Sequence, residues 1–506
     1  MPNVIRSLAL EGIEGYEVRV ECDISGGLPA FDIVGLPDAA VRESRERVRA
    51  AMKYAGFAFP ARRITINLAP ANTKKSGSLY DLPILLAILS SAGLIAPVPD
   101  DAAFIGELSL YGQLRPCAGV LPMATAAKAL GITRLFCPSA NAPEATMAQG
   151  LSVYPVESVE TLLAHLSGAA PLSPAPEWRY TPQADTLLDY ADVCGQAQAR
   201  RALEVAASGG HNILLIGPPG AGKSMLTARL PSILPALTLP EALETTMVHS
   251  VAGLTSQAQP MVLSRPFRAP HHSISASGLA GGGTRPKPGE ISLAHNGVLF
   301  LDELPQFASD VLETLRQPME NSSVTISRVA GTVSYPARFM LVCAMNPCRC
   351  GWYGDPSGRC TCTPKAVETY QSRVSGPLLD RIDLHIEVPA VHYDDLARRT
   401  PGESSQAMRA RVQAARDIQT KRFSGSGISC NAHIPAARMG EVCRLGEEEG
   451  AFMKLAFQRL GLTARSYDKV LRVARTIADM AQSAQIRREH LAEALQYRVL
   501  ERYRFS

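Results

Sequence analysis

The sequence predicts an α/β protein in three parts: an N-terminal α+β domain, a central P-loop α/β domain and a C-terminal helical domain. Three observations carry this. Short β-like runs alternate with helix-like runs up to about His165, a G-x-x-x-x-G-K-S motif sits between a β-run and a helical run near mid-chain, and apolar residues recur at three- and four-residue spacing beyond Asp394. At 506 residues with 46% hydrophobic content and 51 Lys+Arg against 47 Asp+Glu, the chain is large enough for two to four domains, and its composition excludes disordered, fibrous and miniature classes.

In residues 1–167 the β-like runs FDIVGL, RRITINLA and LFCPSA alternate with the helix-like runs DAAVRESRERVRAAMKYAG, DLPILLAILSSAG and MATAAKALG. Residues 168–184 hold prolines at 171, 174, 176 and 182, which cannot continue a helix, so this stretch reads as a semi-rigid linker. Residues 185–393 alternate again and carry the nucleotide motifs, and residues 394–506 are helix-patterned, as in SYDKVLRVARTIADMAQ. The most apolar stretch, Leu82 to Val98, is interrupted by Pro83, Ser90, Ser91 and Pro97, and the first residues show no basic region leading into an apolar one. A cytoplasmic protein without a membrane segment is therefore expected. Eleven cysteines, an odd count, then argue for free thiols plus one metal site rather than a disulfide framework.

The stretch HNILLIGPPGAGKSMLTARL places Gly217, Pro218, Pro219, Gly220, Ala221, Gly222, Lys223, Ser224 and Met225 between a strand and a helix, the context a phosphate-binding loop requires. Backbone N–H groups would close around ATP phosphates, Lys223 would reach the β- and γ-phosphates, and Ser224 would ligate Mg²⁺. In GVLFLDELPQF the buried run Val298 to Leu301 delivers Asp302, a second Mg²⁺ ligand, and Glu303, which would polarise the attacking water. The strand RFMLVCAMN ends at Asn346, suited to a γ-phosphate or its water. Arg381 in GPLLDRIDLHIEV is difficult to assign to its own P-loop and reads as a finger reaching a neighbour's nucleotide, whereas Arg465 at the start of a lid helix suits sensing the γ-phosphate of its own subunit.

These residues resemble the magnesium-chelatase class of AAA+ ATPases, and specifically the ComM/YifB family. The resemblance runs over nearly the whole chain, through FDIVGLPDAAVRESRERVRAA, the P-loop, FRAPHHSISASGLAGGG, SLAHNGVLFLDELPQF, NPCRCG and SGPLLDRIDLHIEVPA. It implies an AAA+ core, a helical lid and a homo-hexameric ring. The ring would hydrolyse ATP to translocate on or unwind single-stranded and branched DNA, as a helicase promoting branch migration and homologous recombination in natural transformation. The residues add an independent pointer: RPFRAPHHSISASGLAGGGTRPKPG carries Arg265, Arg268, Arg285 and Lys287 without an acid, and SVTISRVAGTVSYPA reads as a β-hairpin with Arg328 near its tip. A protein substrate stays open on the residues alone.

LAPANTKKSGSLYDLPILLAIL and IGELSLYGQLRPCAGVLPMATAAKALGI resemble the Lon protease domain. Lon chemistry needs a serine nucleophile and a lysine base, and the matching positions here are Leu79 and Leu121, so a degenerate, non-proteolytic scaffold is expected. An ATP-dependent Lon-like peptidase and a chelatase-type motor remodelling a protein partner are the alternatives. Finally, NPCRCGWYGDPSGRCTC sets Cys348, Cys350, Cys360 and Cys362 as two Cys-x-Cys pairs around a turn-rich loop, a Cys₄ arrangement expected to bind one structural Zn²⁺.

Overall fold

The computed structural model describes residues 4–179, 188–283, 286–328, 331–356, 358–390 and 402–498. Its contacts divide into two compact units, Met1–Gln183 with Leu239–Leu263 and Ser327–Tyr335, and Ala184–Thr238 with Ser264–Ile326 and Pro336–Ser506.

The first unit is built on a mixed seven-stranded sheet. Its strands are β1 (Val4–Glu11), β2 (Glu14–Ser25), β3 (Ala30–Val34), β4 (Arg63–Ala69), β5 (Ala102–Phe104), β6 (Arg134–Pro138) and β7 (Ser152–Val156), in the order β3-β4-β2-β1-β5-β6-β7. β1 and β4 both run antiparallel to β2, and the remaining pairs are parallel. Alternation in β4, where Ile64, Ile66 and Leu68 are buried, turns one face onto the helix Asp81–Ser91, whose residues from Asp81 to Ser90 are all buried. The helix Leu239–Ala252, distant in sequence, belongs to this unit because its Ser250 hydroxyl bonds the buried Glu144 carboxylate, which also accepts from Leu121 N at 2.9 Å and Thr255 Oγ1 at 3.2 Å. Burial raises the Glu144 carboxyl above its ordinary range, against the pull of these donors.

The second unit holds a parallel five-stranded sheet: β8 (Ile213–Ile216), β9 (Phe267–Arg268), β10 (Val298–Leu301), β11 (Met340–Met345) and β12 (Leu384–Glu387), in the order β9-β10-β11-β8-β12. β8, β10 and β11 are buried along their whole length, as a sheet covered on both faces requires. The C-terminal helices Ser405–Arg422 and Ala464–Met480 share one hydrophobic core with this sheet and with the helix Ala197–Gly209. No helix among the described residues is long and apolar enough to cross a membrane.

Candidate nucleotide site and cysteine loop

Register sets the site. Ile216 pairs with both Met345 and Glu387, and Leu301 with Cys343, so Gly217, Asp302 and Asn346 all emerge at the carboxyl edge of one parallel sheet. The loop from Gly217 leads into the helix Lys223–Ala228, with Gly220 at φ 76° and Gly222 at φ 88°, the left-handed conformations that glycine adopts without strain. Gln196 Nε2 ties this loop to the end of β12, donating to Ala221 O at 3.1 Å and Pro389 O at 2.7 Å.

The Lys223 ammonium is buried and donates to Gly217 O at 2.7 Å, Pro218 O at 3.0 Å and Asn346 Oδ1 at 3.0 Å. Burial lowers its pKa, with Asp302 and Glu303 pulling the other way. Ser224 Oγ donates to Asp302 Oδ2 at 2.6 Å, and Asp302 Oδ1 accepts from Glu303 N at 2.9 Å. Two hard oxygens in contact at the mouth of a P-loop fit Mg²⁺, which supplies charge neutralisation at phosphate when bound. Met225 lies next to them, exposed. Thus the structure brings together Lys223, Ser224, Asp302, Glu303 and Asn346.

One partner of Glu303 has no signature in the sequence. His272 Nδ1 lies 3.6 Å from Glu303 Oε2, its ring beside His271 (centroids 4.0 Å apart) and edge-on to Phe307 (6.4 Å). Glu303 itself sits at φ 52°, a left-handed backbone that turns its side chain out of the strand. His272 therefore draws toward itself the oxygen that would polarise water. His272→Ala is expected to raise basal ATP turnover several-fold, read as steady-state phosphate release; a slower variant would make His272 an orienting partner instead.

Arg381 and Arg465 lie together elsewhere. Both line a 290 Å³ cavity that also takes Glu320, Arg338, Asp468 and Arg472, and no P-loop residue lines it. Arg381 pairs with Glu320 and donates to Pro377 O at 2.6 Å. Arg465, expected to sense its own subunit's γ-phosphate, lines this cavity rather than the P-loop. The helix Ala464–Met480 is pinned beside Arg381 because Lys469 donates to Asp380 O and to Ile382 O at 3.0 Å and lies 3.6 Å from Asp383. Burial lowers the Lys469 pKa to about 8, with Asp383 opposing.

Of the basic residues expected to meet DNA, two are engaged within the chain. Arg265 is consumed by the backbone, donating to Pro235 O and Asn296 O at 2.7 Å each and Ala236 O at 3.3 Å, and Arg268 makes a bidentate pair with Glu290 at 2.6 and 2.7 Å. Neither guanidinium is free for phosphate. Lys287 is exposed in a short ladder with Gly282, and Arg285 lies outside the described residues. Arg328 ends the strand Ser323–Arg328, which forms a two-stranded sheet with Gly331–Pro336, and its side chain is outside the described residues.

At the Lon-like positions, Leu79 packs on the core and Leu121 is fully buried. Lys75 is buried with its ammonium on the carbonyls of Pro70 and Thr73, and Ser78 bonds Glu107, so neither forms a serine–lysine dyad.

The four loop cysteines converge, with sulfurs 3.3 Å (Cys348–Cys350), 3.8 Å (Cys348–Cys360) and 3.7 Å (Cys350–Cys360) apart, and all four including Cys362 within 4.8 Å of one another. Zn–S bonds of about 2.3 Å in a tetrahedron would put sulfurs about 3.8 Å apart, so the donor set fits zinc. Backbone N–H groups of Trp352 and Thr361 lower the Cys350 thiol, whereas desolvation and the neighbouring thiols raise those of Cys360 and Cys362, so the convergence of the sulfurs is what carries the fit. The loop rests on the P-loop: a Cβ on Gly351 would stand 2.5 Å from Pro219 Cδ.

Comparison with known proteins agrees with this architecture. The family described as "Magnesium chelatase, subunit ChlI" matches residues 189–396, "Subunit ChlI of Mg-chelatase" matches 20–141, and "Magnesium chelatase, subunit ChlI C-terminal" matches 402–498. The protein YifB of Escherichia coli K12 is 42% identical over 99% of this chain and 97% of its own length. The competence protein ComM of Haemophilus influenzae is 42% identical over 99% of this chain and 98% of its own length. A Lon protease of Mycolicibacterium smegmatis is 29% identical over 35% of this chain, covering 23% of that protein. With a P-loop, two acids and a polar strand end at the edge of one parallel sheet, and with relatives matching end to end, the chain belongs to the ComM/YifB family of magnesium-chelatase-class AAA+ ATPases.

Proposed function

We propose that the protein is an ATP-driven DNA motor, a homo-hexameric helicase or translocase in the cytoplasm that promotes branch migration of recombination intermediates in natural transformation. The carrying observation is the division of labour within one chain. Lys223, Ser224, Asp302, Glu303 and Asn346 form one half of an ATPase site, while Arg381 and Arg465 gather in a cavity that no P-loop residue lines. Two halves presented separately suit a ring in which each nucleotide is completed by the next subunit, with Arg381 and Arg465 as its trans-acting cations. The competence name of the Haemophilus relative directs the motor toward DNA. Lys75, held by the carbonyls of Pro70 and Thr73, and Ser78, bonded to Glu107, do not pair as the dyad that the peptidase alternative needs.

The test is ATP turnover with and without forked DNA and, separately, with unfolded casein. Stimulation by DNA with intact casein supports the motor; DNA-independent turnover with ATP-dependent casein cleavage would support the peptidase.

Zinc on Cys348, Cys350, Cys360 and Cys362 belongs to the same reading, as a clip that holds a polar loop against Pro219 of the P-loop. Elemental analysis is expected to give one zinc per subunit, and Cys360→Ser is expected to lose it together with several-fold in nucleotide affinity. Protein purified reduced and without chelator that contains no stoichiometric metal would end this assignment.

A further inference from the structure

The cysteine loop and the helix after it, Pro364–Gln371, enclose a second concavity of 620 Å³, lined by Gln306, Arg349, Thr363, Lys365, Thr369 and Arg373 together with Ala366 and Tyr370. Three cations and no carboxylate line it. Arg349, Lys365 and Arg373 are exposed and have no acidic partner among the described residues, unlike Arg265, Arg268 and Arg381, whose guanidinium groups are engaged internally. Lys365, Thr369 and Arg373 follow one another at four-residue spacing, so they line up along one face of the helix and its last turn. Thr363 caps that helix by accepting from Ala366 N, and its first turn, with the positive end of the helix dipole, borders the same space.

We infer that this concavity is a phosphate-backbone contact for the DNA substrate. The inference rests on the DNA reading proposed above and gives it a place. Unpaired cations over an open surface suit a chain of phosphates, and the one aromatic residue of the lining, Tyr370, is buried, which leaves no ring there for base stacking. Contact here is therefore sequence-neutral. It is also linked to hydrolysis: Gln306 stands three residues beyond Glu303, and Arg349 three beyond Asn346. A strand seated in the concavity touches the elements that place both polar groups.

The experiment measures binding of a fluorescent single-stranded oligonucleotide across a salt series, with a non-hydrolysable ATP analogue present. The double variant Lys365→Ala, Arg373→Ala is compared with the parent and with Lys454→Ala, an exposed charge removed elsewhere. The double variant is expected to bind about tenfold more weakly, with a log–log salt slope shallower by about 1.4, since each single-strand phosphate contact contributes about 0.7. Lys454→Ala is expected to match the parent, and Lys365→Arg to retain most of the affinity. If the parent binds and the double variant has the same affinity and slope, the concavity is not a DNA contact, though the DNA reading stands. A parent that binds no oligonucleotide overturns both. A double variant that binds DNA normally but fails to assemble would assign the concavity to a neighbouring copy of the chain.

Discussion

Glu303→Gln is expected to lower ATP turnover by about 10²- to 10⁴-fold, the usual contribution of a positioned general base, while ATP still binds. The reason lies in which contacts the substitution spares. Lys223 keeps Asn346 and the loop carbonyls, and Ser224 keeps Asp302, because none of these bonds involves the Glu303 side chain. What is lost is the carboxylate that accepts a proton from water, and an amide of the same shape cannot replace it. Equilibrium binding of a labelled nucleotide alongside phosphate release separates the two effects. Turnover near the parent rate would remove Glu303 from the reaction.

Arg381→Ala is expected to cost about 10³-fold or more in turnover, the scale of an arginine that meets transition-state charge. Its behaviour in mixtures is the sharper prediction. Arg381→Ala subunits have a complete P-loop, and Lys223→Ala subunits have a complete arginine cavity, so mixed rings contain sites made of two intact halves. Activity is expected to reappear on mixing, by phosphate release, and Arg465→Ala is expected to complement Lys223→Ala in the same way because Arg465 shares that cavity. Verified mixed rings without recovery would place both arginines in a structural role; Arg381 already pairs with Glu320, and its loss would then act through that contact.

The elements of the nucleotide site were legible because each is local. A buried apolar run followed by a glycine loop, or by two acids, fixes a strand and what it delivers, and β8, β10 and β11 end at Ile216, Leu301 and Met345, one residue before Gly217, Asp302 and Asn346. The two Cys-x-Cys pairs were legible for the same reason, although the seating of Gly351 on Pro219 was not, since it depends on where a loop folds back. Arg465 shows the limit. Its helix position is readable from spacing, but which cavity the residue enters is decided by Lys469 reaching Asp380, Ile382 and Asp383, far away in sequence. Arg265 and Arg268 show the same limit: a stretch without acids does not reveal that carbonyls from 235, 236 and 296, and Glu290, are brought to it. His272 escaped because a histidine pair in a glycine-rich stretch has no pattern that points to Glu303.

The most direct measurement follows a labelled four-way DNA junction, built with mobile arms, during ATP hydrolysis. The protein is expected to convert the junction to branch-migrated duplex products when ATP is present, and not with the non-hydrolysable analogue or with Glu303→Gln. A junction left intact by protein that is hydrolysing ATP in the same tube would contradict the DNA-motor account.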